Sequence, residues 1–462
     1  MFRIFLFILG SIFAITVFTL IQKSAFEPII PKEIMNRVNS NQSKTIVFGV
    51  GVMIQQGKLL CNPAQEYGSH FNWLTLSWQR IQPRQDKWSW TQFDSWVDGY
   101  RNCGQEVAVH ILSDASWAVG QLPENIRAMP PKDLNQYYTF VYEVAKHYQG
   151  KISRYAIENE AHAPENWGGT AEQYIAELQT AYKAIHAADP NAIVTDAGMS
   201  HMGLGYLTAN WLISQGKSQQ ALNFANSYAA HLYRGNKPPY LNSVDEVKQL
   251  LSTPGVQKTI SWYNLILENH QYYDHLQIHN GAPWQDLQLV LDYVHTNLQA
   301  QGDDKPLELW ETWYSWTGAP GNGFNETEQA KEIIRFMVTA FSGQTIVYNY
   351  WLFTDYAIGE GHPGLVDNQG NPRPAAIAYK IASEKLNGSS FVSRLDLGGN
   401  INAYKFINQT KEVFVVWSTN SSPVNVRLPI SQVKITDIQG NVTTADNNQI
   451  LISDSPIFVE RR

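Results

Sequence analysis

KISRYAIENE, residues 151–160, is the stretch on which the rest of the chain hangs. A short β-prone run closes on a polar pair, Asn159-Glu160. In a barrel of parallel strands, reactive groups gather at the carboxyl ends of the strands. Outward from this stretch, similar runs recur on both sides: TIVFGVGV (45–52), WLTLSW (73–78) and QEVAVHIL (105–112) before it, then NAIVTDAG (191–198), DHLQIH (274–279), PLELWE (306–311) and QTIVYNYWLF (344–353) after it. Amphipathic helical patterns lie between them. Tyr174, Leu178, Ala181 and Ile185 share one helical face, as do Leu287, Val290, Leu291, Val294 and Leu298. Asn325 with Glu328 forms a cap and capping-box pair ahead of EQAKEIIRFMVTAF. Eight strand–helix units predict an α/β fold, a (β/α)8 TIM barrel, over residues 45–390. An open doubly wound sheet is the competing arrangement, but no Gly-rich phosphate loop follows the first strand.

Two departures from a bare barrel are visible. Residues 199–273 hold several helix-like pieces before the sixth strand. Such an insertion either shapes the cleft or forms a peripheral helical layer. From residue 391 to 462 the pattern becomes short alternating runs broken by Asn, Gly, Ser and Pro, which predicts a small C-terminal antiparallel β-sandwich domain.

The 462 residues carry a net charge of -7, which argues against a nucleic-acid partner. The 15 Trp and 23 Tyr supply flat rings for core packing, for stacking on sugars, or for both. Residues 4–21 are uncharged and long enough to cross a bilayer. Residues 1–22 are therefore expected to be a signal anchor, or a signal peptide if cleaved, and 23–44 a linker. Either places the barrel outside the cytoplasm, membrane-anchored in the first case and secreted or periplasmic in the second. Cys61 and Cys103 suit one disulfide in an oxidising compartment, or two buried thiols. Asn-x-Ser/Thr triplets begin at Asn41, Asn325, Asn387, Asn408, Asn420 and Asn441.

Glu160 ends the fourth strand, and Glu311, in KPLELWETWYSW, ends the seventh. A pair of carboxyl groups flanking one cleft is what glycosidic cleavage requires: one protonates the leaving oxygen and the other attacks or stabilises the anomeric carbon. Glu158 and Glu308 are rival carboxylates whose positions along the strands fit the rim less well. No metal ligand set or cofactor is expected.

IENEAHAPENW and KPLELWETWYS resemble the Asn-Glu and Lys-Pro…Glu motifs of the clan A glycoside hydrolases, and family 39 most of all. SWQRIQPRQDKWSWTQFDSW resembles the clan's second-strand segment, and YWLFTDYAIGEGHPGLVDNQGNPRPAAIAY its eighth-strand region; the resemblance spans about residues 45 to 462. It implies a retaining β-glycoside hydrolase with Glu160 as acid/base and Glu311 as nucleophile. It further implies that Asn159 hydrogen-bonds the sugar, that Trp351 forms a platform beneath it, and that His110 and His279 are polar sugar contacts. Two clan landmarks are missing. Thr75 stands where an Arg is common, and Asn280 or Trp284 would replace a Tyr that touches the nucleophile. The expected substrate is an oligo- or polysaccharide at the cell surface or outside the cell, attacked in endo fashion. The alternative is a non-catalytic glycan-binding or scaffolding protein of a polysaccharide export system.

Overall fold

The computed structural model describes residues 45–462 except 52–53, 56–57, 60–64, 231–239, 282, 315–323, 352, 356–363, 410 and 421. The expected leader at 1–22, the linker at 23–44 and Cys61 lie outside the described residues. No described helix is long and apolar enough to cross a membrane. Cys103 is disulfide-bonded.

Eight parallel strands form one sheet: β1 Val47–Val50, β2 Phe71–Ser77, β3 Glu106–Leu112, β4 Arg154–Ile157, β5 Ile193–Thr195, β6 Leu276–Asn280, β7 Leu307–Thr312 and β8 Thr345–Tyr350. Their order is β5-β4-β3-β2-β1-β8-β7-β6. The two ends meet through bridges Thr195–His275 and Met199–Ile278, with the Met199 N–H donating to the Gln277 carbonyl at 2.9 Å. The sheet is thus closed, and the doubly wound alternative is excluded.

The helices follow the predicted faces. Those that bear on the site are α1 Thr91–Asn102, α2 Leu134–His147, α3 Ala171–Ala188, α4 His201–Ser214, α5 Ser218–Ala230, α6 Val244–Leu251, α7 Pro254–Glu268, α8 Trp284–Ala300, α9 Glu326–Ser342 and α10 Pro374–Leu386. Tyr174, Leu178, Ala181 and Ile185 of α3 are all buried, and Thr170 with Gln173 forms its capping box. Asn325 caps α9 by accepting from the N–H groups of Thr327 and Glu328. The Glu328 carboxylate pairs with Lys331 at 2.8 Å. The insertion is the four-helix run α4–α7, and it packs behind the carboxyl ends of β5 and β6. The Tyr263 hydroxyl accepts from the Ser200 N–H at 2.7 Å, and the Tyr228 hydroxyl donates to the His201 carbonyl at 2.8 Å.

Alternation along the strands separates two cores. Outward residues such as Val107, Val109, Ile111, Tyr155 and Ile157 pack against helices. Inward residues Phe71, Ala108, Ala156, Trp310, Ile346 and Val347 fill the barrel. Below them the barrel closes with charge. Arg154 Nε lies 2.9 Å from Glu308 Oε1, Arg154 also pairs with Glu106, and His275 Nδ1 lies 2.5 Å from the same Glu308 oxygen. The Trp310 indole N–H donates to the other oxygen at 2.6 Å. Glu308 is therefore a structural anion, not a cleft group. Burial opposes its charge, but Arg154 and His275 outweigh this and hold its pKa at about 2.

After α10 come β9 Ser390–Arg394, β10 Ile401–Asn408, β11 Lys411–Ser418, β12 Val424–Arg427, β13 Val433–Asp437, β14 Val442–Ala445, β15 Gln449–Ile452 and β16 Ile457–Arg461. Six form an antiparallel sheet in the order β9-β10-β11-β16-β13-β14, and β12 pairs with β15. The inner face of the large sheet joins the barrel's helical core through Tyr404, Phe406, Val413, Val415, Trp417 and Phe458. Its other face packs with the β12–β15 pair around Phe414, Val416, Val426 and Ile450. The expected sandwich is present, with one layer reduced to two strands.

Glu308→Ala leaves Arg154 buried without its main partner and is expected to destabilise the fold by about 3–5 kcal/mol in denaturant titration. A carboxylate held below its unfolded pKa stabilises the fold above that value. The Glu308 contribution should therefore be present above about pH 4.3 and fade as pH falls towards its folded value. A Glu308→Ala protein with unchanged stability at neutral pH would remove this account of the barrel floor.

Candidate active site

Simple alternation would turn Glu311 away from the cleft and would carry Glu158 inward together with Glu160. On β4, Arg154 and Ala156 point inward. Glu158 then takes φ +64° and Glu160 φ +45°. Side-chain-bearing residues disfavour this left-handed region by about 1–2 kcal/mol each. The strained turn is tied on both sides: Glu158 N–H donates to the Ile111 carbonyl at 3.0 Å, and Glu160 N–H to the Ala197 carbonyl at 2.6 Å. It turns the Glu158 carboxylate towards the Ser113 N–H, 2.7 Å away, and leaves Glu160 at the mouth. On β7 the device is a bulge. Ile278 pairs with Leu309 and His279 with Glu311, while on the other side Tyr348 pairs with Leu309 and Tyr350 with Thr312. One extra residue at Trp310–Glu311 resets the alternation, so that Glu311 follows the inward Trp310 into the cleft.

The two carboxylates converge on His279. Its Nδ1 lies 2.8 Å from Glu160 Oε1 and 3.9 Å from Glu311 Oε2. The three ligand atoms all lie within 4.8 Å of one another. Such a cluster could receive a cation, but the His279 Nδ1 hydrogen bond to Glu160 already accounts for the approach. The side chains of Glu160 and Glu311 are 27% and 15% exposed, so both can be reached from solvent. Behind them, Gln277 Nε2 sits 2.8 Å from His279 Nε2, and Thr195 Oγ1 donates to Gln277 Oε1 at 2.9 Å.

The protonation pattern runs against the roles implied by the resemblance. Burial favours the neutral form of Glu160, but the His279 hydrogen bond and the charge of His279, His162 and His110 prevail and lower its pKa. Glu311 is pushed up to about 7 by burial and by Glu160, with His279 and Arg127 opposing. Of the two carboxyls, Glu311 is thus the one whose neutral form its surroundings favour. His279 is itself raised: burial disfavours its cation, but the charges of Glu311 and Glu160 outweigh that.

The remaining expected residues fall into two groups. Asn159 is partly exposed, while its Oδ1 is buried and has no hydrogen-bond partner among the described residues. Trp351 is half-buried just beyond β8, its N–H donating to the Thr312 carbonyl at 2.8 Å next to Glu311. His110 and His279, by contrast, are 1% and 0% exposed. His110 Nδ1 meets the Glu158 carbonyl at 2.9 Å, and burial lowers its pKa to about 3. Both imidazoles are buried and bear on the carboxylate turns, His110 through the Glu158 carbonyl and His279 through the Glu160 carboxylate. Thr75 is exposed on the cleft side of β2, opposite His110 in the register. Among the described residues no Arg or Lys pairs with Glu311. Trp284 turns away, its ring edge-on to Trp417 at 5.4 Å, and so does not replace the missing Tyr. The Asn280 amide donates to the Tyr228 hydroxyl at 2.7 Å.

The sequence reading missed His162, Ser200 and Tyr263. His162 Nε2 lies 2.9 Å from Ser200 Oγ, and its Nδ1 lies 3.0 Å from the Tyr263 hydroxyl. His162 stands only two positions past Glu160, which was the available signal; Tyr263 comes from within the insertion and had none.

Residues 39–196 match the family model of Glycosyl hydrolase family 10. No curated protein sequence matches the chain. In fold the chain is similar to a family 39 glycoside hydrolase from the gut symbiont Bacteroides cellulosilyticus WH2, with TM-score 0.60 and 14% identity over 92% of this chain and 82% of that one. It is also similar to a glucosidase from Croceicoccus marinus (TM-score 0.58, 12% identity, 90% of this chain and 96% of that one). A third likeness is to the family 30 subfamily 8 xylanase Xyn30A from Clostridium acetobutylicum (TM-score 0.54, 13% identity, 90% and 96%). At these identities the structural likeness is one of fold. The family-model match and the fold together support a glycosidase of clan A, with family 39 among its structural relatives.

Glu160→Gln removes the negative charge that helps to keep Glu311 protonated. The Glu311 pKa should then fall from about 7 towards the ordinary carboxylate range, as read by NMR titration of labelled carboxyl carbons. A Glu311 titration that stays where it was would show that Glu160 does not govern it.

Proposed function

We propose that this chain hydrolyses a β-linked polysaccharide with net retention, Glu160 serving as acid/base and Glu311 as nucleophile. The observation that carries the reading is the approach of the two carboxylates at the ends of β4 and β7, each offering an oxygen within 4.8 Å of the other. Retaining enzymes need carboxyl groups about 5–5.5 Å apart, and inverting ones leave about 6.5–9.5 Å for a water. In the first step the Glu311 carboxylate attacks the anomeric carbon while Glu160 gives its proton to the departing oxygen. In the second, Glu160 takes a proton from water, which releases the sugar from the Glu311 ester. Glu160 must hold the proton when attack begins, and an oxygen of each carboxyl lies within 4.8 Å of the other. Asn159 and Trp351 are the sugar-facing groups in this reading, and His279 holds the pair.

Substrate choice is part of the proposal. A xylanase and a glucosidase among the structural relatives make β-xylan and β-glucan the first polymers to offer, beside bacterial exopolysaccharides. Endo attack should release short oligosaccharides rather than single sugars. We also place the barrel outside the cytoplasm, held by residues 1–22, on the strength of the uncharged run at 4–21 and the disulfide at Cys103.

Reducing ends should appear from at least one of these polymers, with the β anomer formed first by NMR. Glu311→Gln should abolish turnover. Glu160→Ala should spare substrates with good leaving groups and recover rate with azide. A first-formed α anomer would contradict retention, and binding without any release of reducing ends would favour the scaffolding alternative. Cell fractionation addresses location: full-length chain is expected in membranes, and a shortened soluble protein would mean a cleaved leader.

A further inference from the structure

Behind the acid/base turn stands a second pair of carboxyl groups that the proposed chemistry does not use. Glu158 and Glu177, the latter on α3, are both 0% exposed. Ser113 joins them: its N–H donates to Glu158 Oε1 at 2.7 Å, and its hydroxyl donates to Glu177. Glu158 Oε2 and Glu177 Oε2 have no other hydrogen-bond partner among the described residues. The Tyr137 hydroxyl from α2 and the Trp167 indole N–H also face Glu177. The other titratable groups on this side are Tyr174 of α3, His110 of β3, which meets the Glu158 carbonyl, and Asp196 after β5, next to Tyr174. Among the described residues no Lys, Arg or His forms an ion pair with either carboxyl.

Two buried carboxylates side by side without a cation cannot both stay ionised. We infer that Glu158 and Glu177 hold a shared proton that locks the left-handed Glu158–Asn159–Glu160 turn, which makes both positioning residues for Glu160. Glu158 carries the lock because its side chain reaches the pair while its backbone begins the strained turn, at φ +64°. When the proton leaves, repulsion acts on the residue whose backbone aims Glu160. Burial and mutual charge raise the Glu158 pKa well above the usual range, and burial brings Glu177 to about 7. A carboxyl raised in the folded state stabilises the fold below its unfolded pKa, and that stabilisation is lost as pH rises through the folded value.

This inference rests on Glu160 being the acid/base, so the test has two independent readouts. Glu177→Gln keeps the shape and the hydrogen bonds but needs no proton. Wild-type stability in denaturant should fall as pH rises from about 4.3 through about 7, and the variant's should fall much less. On a cleaved β-glycan, the variant should keep about threefold more of its neutral-pH kcat at alkaline pH than wild type, with KM following the same course in both. Glu311 titrates in both proteins, so the difference between them is the measure. Glu158→Gln serves in the same way if the first variant does not fold. Identical stability curves, or an unmoved kcat profile in an active enzyme, overturn the shared-proton lock. An altered stability curve without any glycan turnover leaves the lock standing and defeats the reading of Glu160.

Discussion

A β-strand shows alternate side chains to opposite faces, and this rule constrains every group at the mouth of the barrel. Two local breaks in it create the site: the left-handed turn at Glu158–Glu160 and the bulge at Trp310–Glu311. Much of the surrounding structure holds these breaks in place. The Trp73 indole and the Asn349 amide both donate to the Trp310 carbonyl, at 3.2 and 2.7 Å, and so fix the bulge. Gly49 makes room for that arrangement, since a Cβ there would lie 2.5 Å from Asn349 Oδ1. His110 and Ser113 secure the turn from the β3 side.

Three sets of acids in and around the barrel differ in fate because their neighbours differ. At the floor, Arg154 and His275 keep Glu308 ionised. On the helical side of β4, Glu158 and Glu177 form no ion pair with a described cation, and burial raises both of their pKa values. At the mouth, His279 touches both Glu160 and Glu311 but lies nearer the first, which splits their affinities for one proton. Distance to a positive group, more than depth, sets which of these acids keeps its charge.

Much of this was legible in the sequence. The strands were, because parallel strands buried on both faces read as apolar runs. The helical faces of α3 and α8 were, through their 3.6-residue period. The carboxylates were found by their place at strand ends, although alternation alone would have turned Glu311 away from the cleft. What stayed hidden depends on contacts between distant segments. The pairing of Glu158 with Glu177 joins residues 19 positions apart on different elements (177 − 158 = 19), and neither residue differs in type from a surface glutamate. The depth of the imidazoles was hidden in the same way: only the packing shows His110 and His279 buried beside the carboxylate turns. β9 and β14, short edge strands of the C-terminal sheet, carry little alternation to mark them in the sequence.

The inner face of that sheet has a consequence for how the gene can be cut. Phe406 meets Phe341 of α9 edge-on at 6.5 Å, and Trp417 meets Trp284 of α8 at 5.4 Å. Lys331 and Arg335 of α9 also reach Asp454. The last seventy or so residues therefore serve as an outer wall for two barrel helices and not as a cargo module on a tether. Recombination that exchanged this segment for an unrelated appendage would strip aromatic surface from α8 and α9. Descendants of such an event would have to redesign those helices as well, so tail and barrel are bound to diverge together.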